Sequence, residues 1–225
     1  MHLVKINTNH SEDAMNEAVK ILRQGGIVAC PTESSYGLCA RYDGHTALER
    51  IFALKGQRRE KPFPLIIGSI QDLLLVSQEP GPVALKLAQV FWPGPLTLLL
   101  PAKDGLSGFI SKEGKVAVRV PGPSFALELV KRLGLPLTAT SANPSGLAPA
   151  TSARAVLDYF GGGVDLIIDG GSSPGGPPST IVDVTGADIK VLREGAINSE
   201  QIKKFALTLK TPHPGPTPKG RGEKD

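Results

Sequence analysis

Cysteine is scarce in this chain. Its 225 residues hold two, Cys30 and Cys39, and no Cys-x-x-Cys pair. A disulfide framework is excluded as the basis of the fold, and a chain this long buries a core that needs no staple. The four histidines, His2, His10, His45 and His213, are scattered, so no zinc site held by the protein is expected. Aromatic residues make up 5%, too few for the stacking platforms that hold single-stranded nucleic acid. No apolar run approaches the roughly 18 residues of a membrane span. Met1-His2-Leu3-Val4-Lys5 lacks a signal-peptide pattern. The expectation is a cytoplasmic protein with no membrane contact. Both cysteines, flanked by small or apolar residues, should be reduced thiols in the core.

What is present is ordinary in bulk. Hydrophobic residues are 40% and charged residues 20%, as in soluble globular domains. A net charge of +4 and a pI near 9.1 permit contact with phosphate or nucleic acid without demanding it. Residues 1–210 read as one domain. From Thr211 onward Pro, Gly and charge dominate, so 211–225 is expected to be a disordered tail.

Helix and strand patterns alternate. Ser11 with Glu12 and Asp13 opens a helix whose stripe is Ala14, Ala18, Ile21 and Leu22. Gly25-Gly26 stops it. Strands are predicted over 27–30, 64–67, 96–100, 116–120, 137–140, 166–168, 180–184 and 189–192. Helices are predicted over 48–55, from Ser69, over 82–91, from Ser124 to Leu133, after Ser152, and after Asn198 or Ser199. Short apolar strands alternating with helices argue for an α/β fold with an open sheet of mixed direction.

Five segments hold candidate site residues. Pro31-Thr32-Glu33-Ser34-Ser35-Tyr36-Gly37-Leu38 places hydroxyls at a strand end, where open α/β sheets bind ligands. Lys55-Gly56-Gln57-Arg58-Arg59-Glu60-Lys61-Pro62 sets four cations within seven residues, suited to polyphosphate. They would equally complement a helix C-terminus. Arg119 interrupts the apolar strand Val116-Ala117-Val118-Arg119-Val120, and a buried charge needs a partner: a ligand carboxylate or an internal acid. Thr138-Ala139-Thr140-Ser141-Ala142-Asn143-Pro144 offers N–H and hydroxyl donors, or simply a turn. The fifth runs from Asp169-Gly170-Gly171 to Ser179-Thr180, followed by Arg193-Glu194-Gly195. Two familiar strings are set aside. Gly108 to Gly114-Lys115 has the wrong spacing for a P-loop, and Val116 replaces its Ser/Thr. Gly171-Ser172-Ser173-Pro174-Gly175 cannot start the helix that a nucleophile elbow requires.

The order of these segments is more specific than any one of them. Pro31-Thr32-Glu33-x-x-Tyr36-Gly37-Leu38, Leu54-Lys55-Gly56 with Lys61-Pro62, Trp92-Pro93-Gly94-Pro95-Leu96-Thr97, Val116 to Pro121, Ser141-Ala142-Asn143, Ile168 to Gly171, Ser179 to Asp183 and Arg193-Glu194-Gly195 together resemble the YrdC/TsaC family of threonylcarbamoyl-AMP synthases over about residues 10–207. The resemblance implies a twisted open mixed sheet with flanking helices and a deep concave cavity. It implies condensation of L-threonine, bicarbonate and ATP to threonylcarbamoyl-AMP with release of pyrophosphate. A separate tRNA threonylcarbamoyl-transferase complex would then modify tRNA beside the anticodon. By the family's pattern Thr32, Ser34, Arg119, Ala139 and Ser179 would meet threonine. Lys55, Arg58, Lys61, Lys115, Ser141, Asn143 and Arg193 would meet ATP. Lys55 and Arg119 would act electrostatically, with no covalent or acid–base residue. Mg²⁺ would arrive mainly on the ATP phosphates. Three positions depart from the pattern: Gln57 stands where Arg is usual, with Arg58 beside it; Ile66 replaces a ligand-facing His; Pro149 replaces a Ser. Two other readings share the fold: a module binding double-stranded RNA or tRNA, and carbamoylation of another acceptor.

Overall fold

The computed structural model describes residues 2–6, 11–56 and 61–210. The predicted tail at 211–225 and residues Gln57 and Arg58 lie outside them. In chain order the elements are β1 (His2–Lys5), α1 (Ser11–Arg23), β2 (Val28–Pro31), β3 (Tyr36–Cys39), α2 (His45–Lys55), β4 (Leu65–Ile66), a 3-10 helix (Ile70–Leu75), α3 (Gly81–Phe91), β5 (Leu96–Pro101), β6 (Ser111–Lys112), β7 (Lys115–Arg119), α4 (Phe125–Leu133), β8 (Leu137–Thr138), β9 (Thr140–Ser141), α5 (Ala153–Phe160), a second 3-10 helix (Gly161–Gly163), β10 (Leu166–Asp169), β11 (Thr180–Asp183), β12 (Lys190–Arg193) and α6 (Ser199–Lys210).

The strands form two open mixed sheets. The first runs β1-β10-β2-β3-β9, and the second runs β12-β11-β5-β7-β4-β8 with β6 on the flank of β7. The strand predicted over 137–140 is in fact two. β8 pairs with β4 in the second sheet, whereas β9 pairs with β3 in the first. Ala139 is the hinge between them, its N–H donating to the carbonyl of Pro64 (3.2 Å). A continuous run of small and hydroxylated residues hides such a change of sheet, because the period-2 pattern is unbroken across it.

Burial explains the elements. Leu166, Ile167 and Ile168 of β10 are apolar and fully buried because the strand lies inside the first sheet, parallel to β1 and β2, with α1 and α5 packed against it. α1 turns Ala14, Met15, Ala18, Val19 and Leu22 inward. Leu22 is fully buried, and a side chain so covered contributes about 2 kcal/mol. Ser124 and Ser152 accept the capping hydrogen bonds from Leu127 N and Ala155 N (3.3 and 3.2 Å). The helix predicted after Ser69 is a 3-10 helix, drawn tight where Asp72 Oδ2 accepts from the N–H groups of Gly68 and Ser69. β1, an exposed edge strand, and the two-residue β6 carry too little apolar pattern to be predicted. Cys30 and Cys39 are free and fully buried. No described helix is long and apolar enough to cross a membrane.

Candidate active site

Along β7 of the second sheet, core side chains alternate with candidate site side chains. In β7, Val116 and Val118 are fully buried, while Lys115, Ala117 and Arg119 alternate to the opposite face. Leu98 lies opposite Val118 in the antiparallel register of β5 and β7, which sets Thr97 across from Arg119. Ile181 pairs with Thr97 and with Arg193, and Ile66 pairs with Arg119. One row therefore crosses the sheet: Arg193, Ile181, Thr97, Arg119, Ile66. Sequence positions up to 127 residues apart (66 to 193) meet in this row, and its two guanidiniums share one face.

Arg119 is not left without an acid. Its Nη1 donates to Glu33 Oε1, a residue from the loop between β2 and β3 in the other sheet. Thr32 shapes that loop: its Oγ1 donates to Ser35 O (2.8 Å) and accepts from Ser34 N and Ser35 N (3.3 and 3.4 Å). Thr32 is thus a turn-former, and its methyl group crowds Gly37, where an added Cβ would also meet Thr140 O and Ala139 Cα within 4 Å. Ser34 sits next along the loop, half-buried. Glu33 was absent from the predicted site residues. The signal was available, because an Arg in an apolar strand calls for an acid and Glu33 is the only carboxylate in its motif.

At the far end of the row Arg193 donates to Ser179 O from Nη2 and Nε (2.8 and 3.2 Å) and to Ser179 Oγ (3.2 Å). Ser179 Oγ also bonds Thr97 Oγ1 at 2.8 Å. Burial first, then the charge of Arg119, lowers the pKa of Arg193. This stretch depends on a close backbone approach at Gly195, where a Cβ would collide with the carbonyl oxygen of Pro178. Thr180 Oγ1 locks the turn, accepting from Gly195 N (2.9 Å) and Ile197 N (3.0 Å) and donating to Ile197 O (2.5 Å).

A second cluster gathers on the loop after β9. Lys55, at the end of α2, is 4% exposed, and its Nζ donates to Ser141 O (2.6 Å) and Asn143 O (2.9 Å). Ser145 N returns a bond to Lys55 O (2.8 Å). Burial lowers the lysine from 10.5 to about 8. Ser141 Oγ donates to Asn143 Oδ1 (2.5 Å), and Asn143 Nδ2 donates to Pro144 O and Leu147 O (3.0 and 2.7 Å). Lys55 and Asn143 therefore hold the loop in shape. Ser141 lies opposite Gly37 of β3, only two residues past the Ala139 hinge, so this loop and the Glu33 turn flank the same seam between sheets.

Two predicted cations sit apart from these clusters. Lys115, at the other end of β7 from Arg119, pairs with Asp183 Oδ2 at 2.8 Å. Asp183 loses solvation, yet bonds from Lys115 and Thr185 hold its carboxyl below the usual value. Lys61 lines a hollow of about 350 Å³ with His45, Glu49, Phe52, Ser107, Gly108 and Phe109, none of them in the Arg119 row. Ile66 adjoins Arg119 but is buried, and Pro149 is exposed on its loop.

Residues 20–195 match the Sua5/YciO/YrdC family model, whose description is "Telomere recombination". The chain is 37% identical over 203 residues to a threonylcarbamoyl-AMP synthase of Pyrococcus abyssi, covering 90% of this chain and 60% of that protein. It is 36% identical over 201 residues to one of Bacillus subtilis, covering 88% and 58%. The chain thus spans about 60% of the length of these curated relatives. A crystal structure of P. abyssi Sua5 complexed with L-threonine aligns with a TM-score of 0.81 at 36% identity, covering 90% of this chain and 59% of that one. E. coli YciO aligns with a TM-score of 0.76 at 28% identity, covering 87% and 95%. With the model matched from the first helix through the Arg193 strand and the same fold in solved members, the chain belongs to the Sua5/YciO/YrdC family.

Proposed function

We propose that the chain is an L-threonylcarbamoyladenylate synthase, a nucleotidyltransferase that uses ATP, L-threonine and bicarbonate. The observation that carries this reading is the Arg119 row, which sets the guanidiniums of Arg119 and Arg193 on one face of the sheet, with Ser179 bonded to both Arg193 and Thr97. The names of the two curated relatives and the threonine in the P. abyssi structure support it.

In this reading the threonine carboxylate meets Arg119, with Thr32, Ser34, Ala139 and Ser179 around it. The ATP phosphates meet Lys115, Arg193 and the Ser141–Asn143 loop, with Arg58 and Lys61 from the basic segment. The amine nitrogen bonds to the carbon of bicarbonate, water leaves, and a carbamate forms. A carbamate oxygen then bonds to the α-phosphorus as the bond from that phosphorus to the bridging oxygen breaks, releasing pyrophosphate. Two anions must meet in this step, so positioned cations supply the main assistance. Mg²⁺ belongs here as the companion of the ATP phosphates, which suits a cation that keeps water and phosphate ligands. Its role would be to neutralise phosphate charge. The product's consumer is a tRNA-modifying transferase complex.

The test is pyrophosphate release from ATP and Mg²⁺ with bicarbonate. Release that requires threonine and is lost in Arg119→Ala supports the reading. Release that is independent of threonine, or full activity in the variant, rejects it.

A further inference from the structure

We propose that Glu33 is a specificity residue that reads the amino group of the amino-acid substrate, resting on the reading above that this site takes threonine. The two oxygens of Glu33 differ. Oε1 takes the Arg119 bond, whereas Oε2 is shielded from solvent and has no hydrogen-bond partner among the described residues. A carboxylate that served only to neutralise an arginine would gain most from the paired, two-oxygen arrangement. Here one oxygen is held back from it.

A buried acceptor without a donor is costly, and the cost is removed when a ligand supplies the donor. The surroundings say which ligand. Among the described residues the Arg119 guanidinium uses only Nη1, and its other N–H groups remain for an incoming carboxylate. Arg193 acts on Arg119 electrostatically, so two guanidiniums stand against the single carboxylate of Glu33, leaving one positive charge to be met. An α-amino acid carries its carboxylate and its amino group on one carbon. Laid across the Arg119–Glu33 pair, it puts its carboxylate on Arg119 and an N–H on Oε2. Glu33 is held for this task. Thr32 pins the turn on one side, and Gly122 lies against the glutamate stem, where a Cβ would already touch Cγ at 3.4 Å.

The experiment compares two ligands by calorimetry: L-threonine, and 3-hydroxybutanoate, which keeps the carboxylate and hydroxyl but has hydrogen in place of the amino group. Wild type should prefer threonine by about tenfold or more, the worth of a charge-assisted hydrogen bond. In Glu33→Gln the amide oxygen turns to Arg119 and its NH₂ to the ligand, so the preference should fall to near unity. A role limited to bracing Arg119 would weaken both ligands equally and leave the ratio intact, and that result overturns the proposal. Equal binding of the two ligands by wild type overturns it without any variant. If wild type binds no threonine, the synthase reading falls and takes this one with it. Threonine preference retained in Glu33→Gln removes this one alone.

Discussion

The ammonium of Lys55 is spent on the main-chain oxygen of Ser141, 2.6 Å away, with Asn143 O as its second acceptor. A lysine in a basic segment reads first as a phosphate ligand. Its two bonds tie the end of α2 to the loop after β9.

That burial gives a pH signature. Native Lys55 titrates near 8 because it is desolvated, against 10.5 for an unhindered lysine. Between those values the unfolded chain holds a proton that the native one has released, so stability rises with pH across the window. Below about pH 8 the native state bears the full cost of a buried charge, about 3 kcal/mol for this shift. Lys55→Met removes the titrating group. Denaturant unfolding of both proteins should show the wild type gaining on the variant by up to about 3 kcal/mol as pH climbs from about 8 to 10.5. A difference that stays flat over that range would contradict the buried charge.

Arg119 and Glu33 form an ion pair with side chains 11% and 21% exposed. Breaking it from either side leaves a shielded charge alone, so Arg119→Ala should cost about 2 kcal/mol of stability. Changing both residues to alanine should recover part of that loss, because no orphan charge remains. Thermal melts of the two single variants and the double variant form the cycle. A double variant as unstable as the sum of the singles would mean that the residues do not interact.

Much of the fold is legible in the sequence alone, and what is not shares a cause. Arg119 stood out because one charge in Val116-Ala117-Val118-Arg119-Val120 has no apolar explanation. The strand at 166–168 and the Ser124 and Ser152 caps were readable because local rules decide them. The hinge at Ala139 was not, since which sheet a strand joins is a tertiary choice with no local mark. The sequence shows the donors of Lys55 and Asn143 but not the carbonyl oxygens of Ser141, Asn143, Pro144 and Leu147 that accept from them, so their hold on the loop is not legible there. Glu33 was overlooked for a related reason: its partner lies 86 residues away.

Gly195 tests how closely the Arg193 end is built. A Cβ at this position meets the Pro178 carbonyl and, at 2.8–2.9 Å, the Ser179 carbonyl group, all of it backbone. No side chain can swing aside, so the turn must shift. Gly195→Ala should lose about 2–3 kcal/mol of stability through strain and the loosened bond to Thr180. Its activity should fall further than its folded fraction, because the Arg193–Ser179 contacts move with the turn. Gly186→Ala is the control. It has open space around its own Cβ position and no left-handed φ, and it should be close to neutral. A Gly195→Ala protein as stable as wild type would show that the turn has slack.

Lys115 and Asp183 make the remaining prediction, one that separates the two ends of β7. Four residues of strand set Lys115 about 13 Å from Arg119, too far for both to hold one carboxylate. If ATP lies toward Lys115, Lys115→Met should raise the KM for ATP about tenfold and leave that for threonine nearly unchanged. The partner acid supplies an independent check. Burial opposes the Asp183 charge, but bonds from Lys115 and Thr185 outweigh it and keep the native carboxyl below 3.8. The stability it contributes is complete above the unfolded value and disappears as pH falls through the lowered native one. Asp183→Asn should therefore flatten the acid limb of the stability profile, measured by melting from about pH 6 down to 3, while Lys115→Met flattens it partly. An acid limb unchanged in Asp183→Asn would mean that the carboxylate is not held by its neighbours in solution.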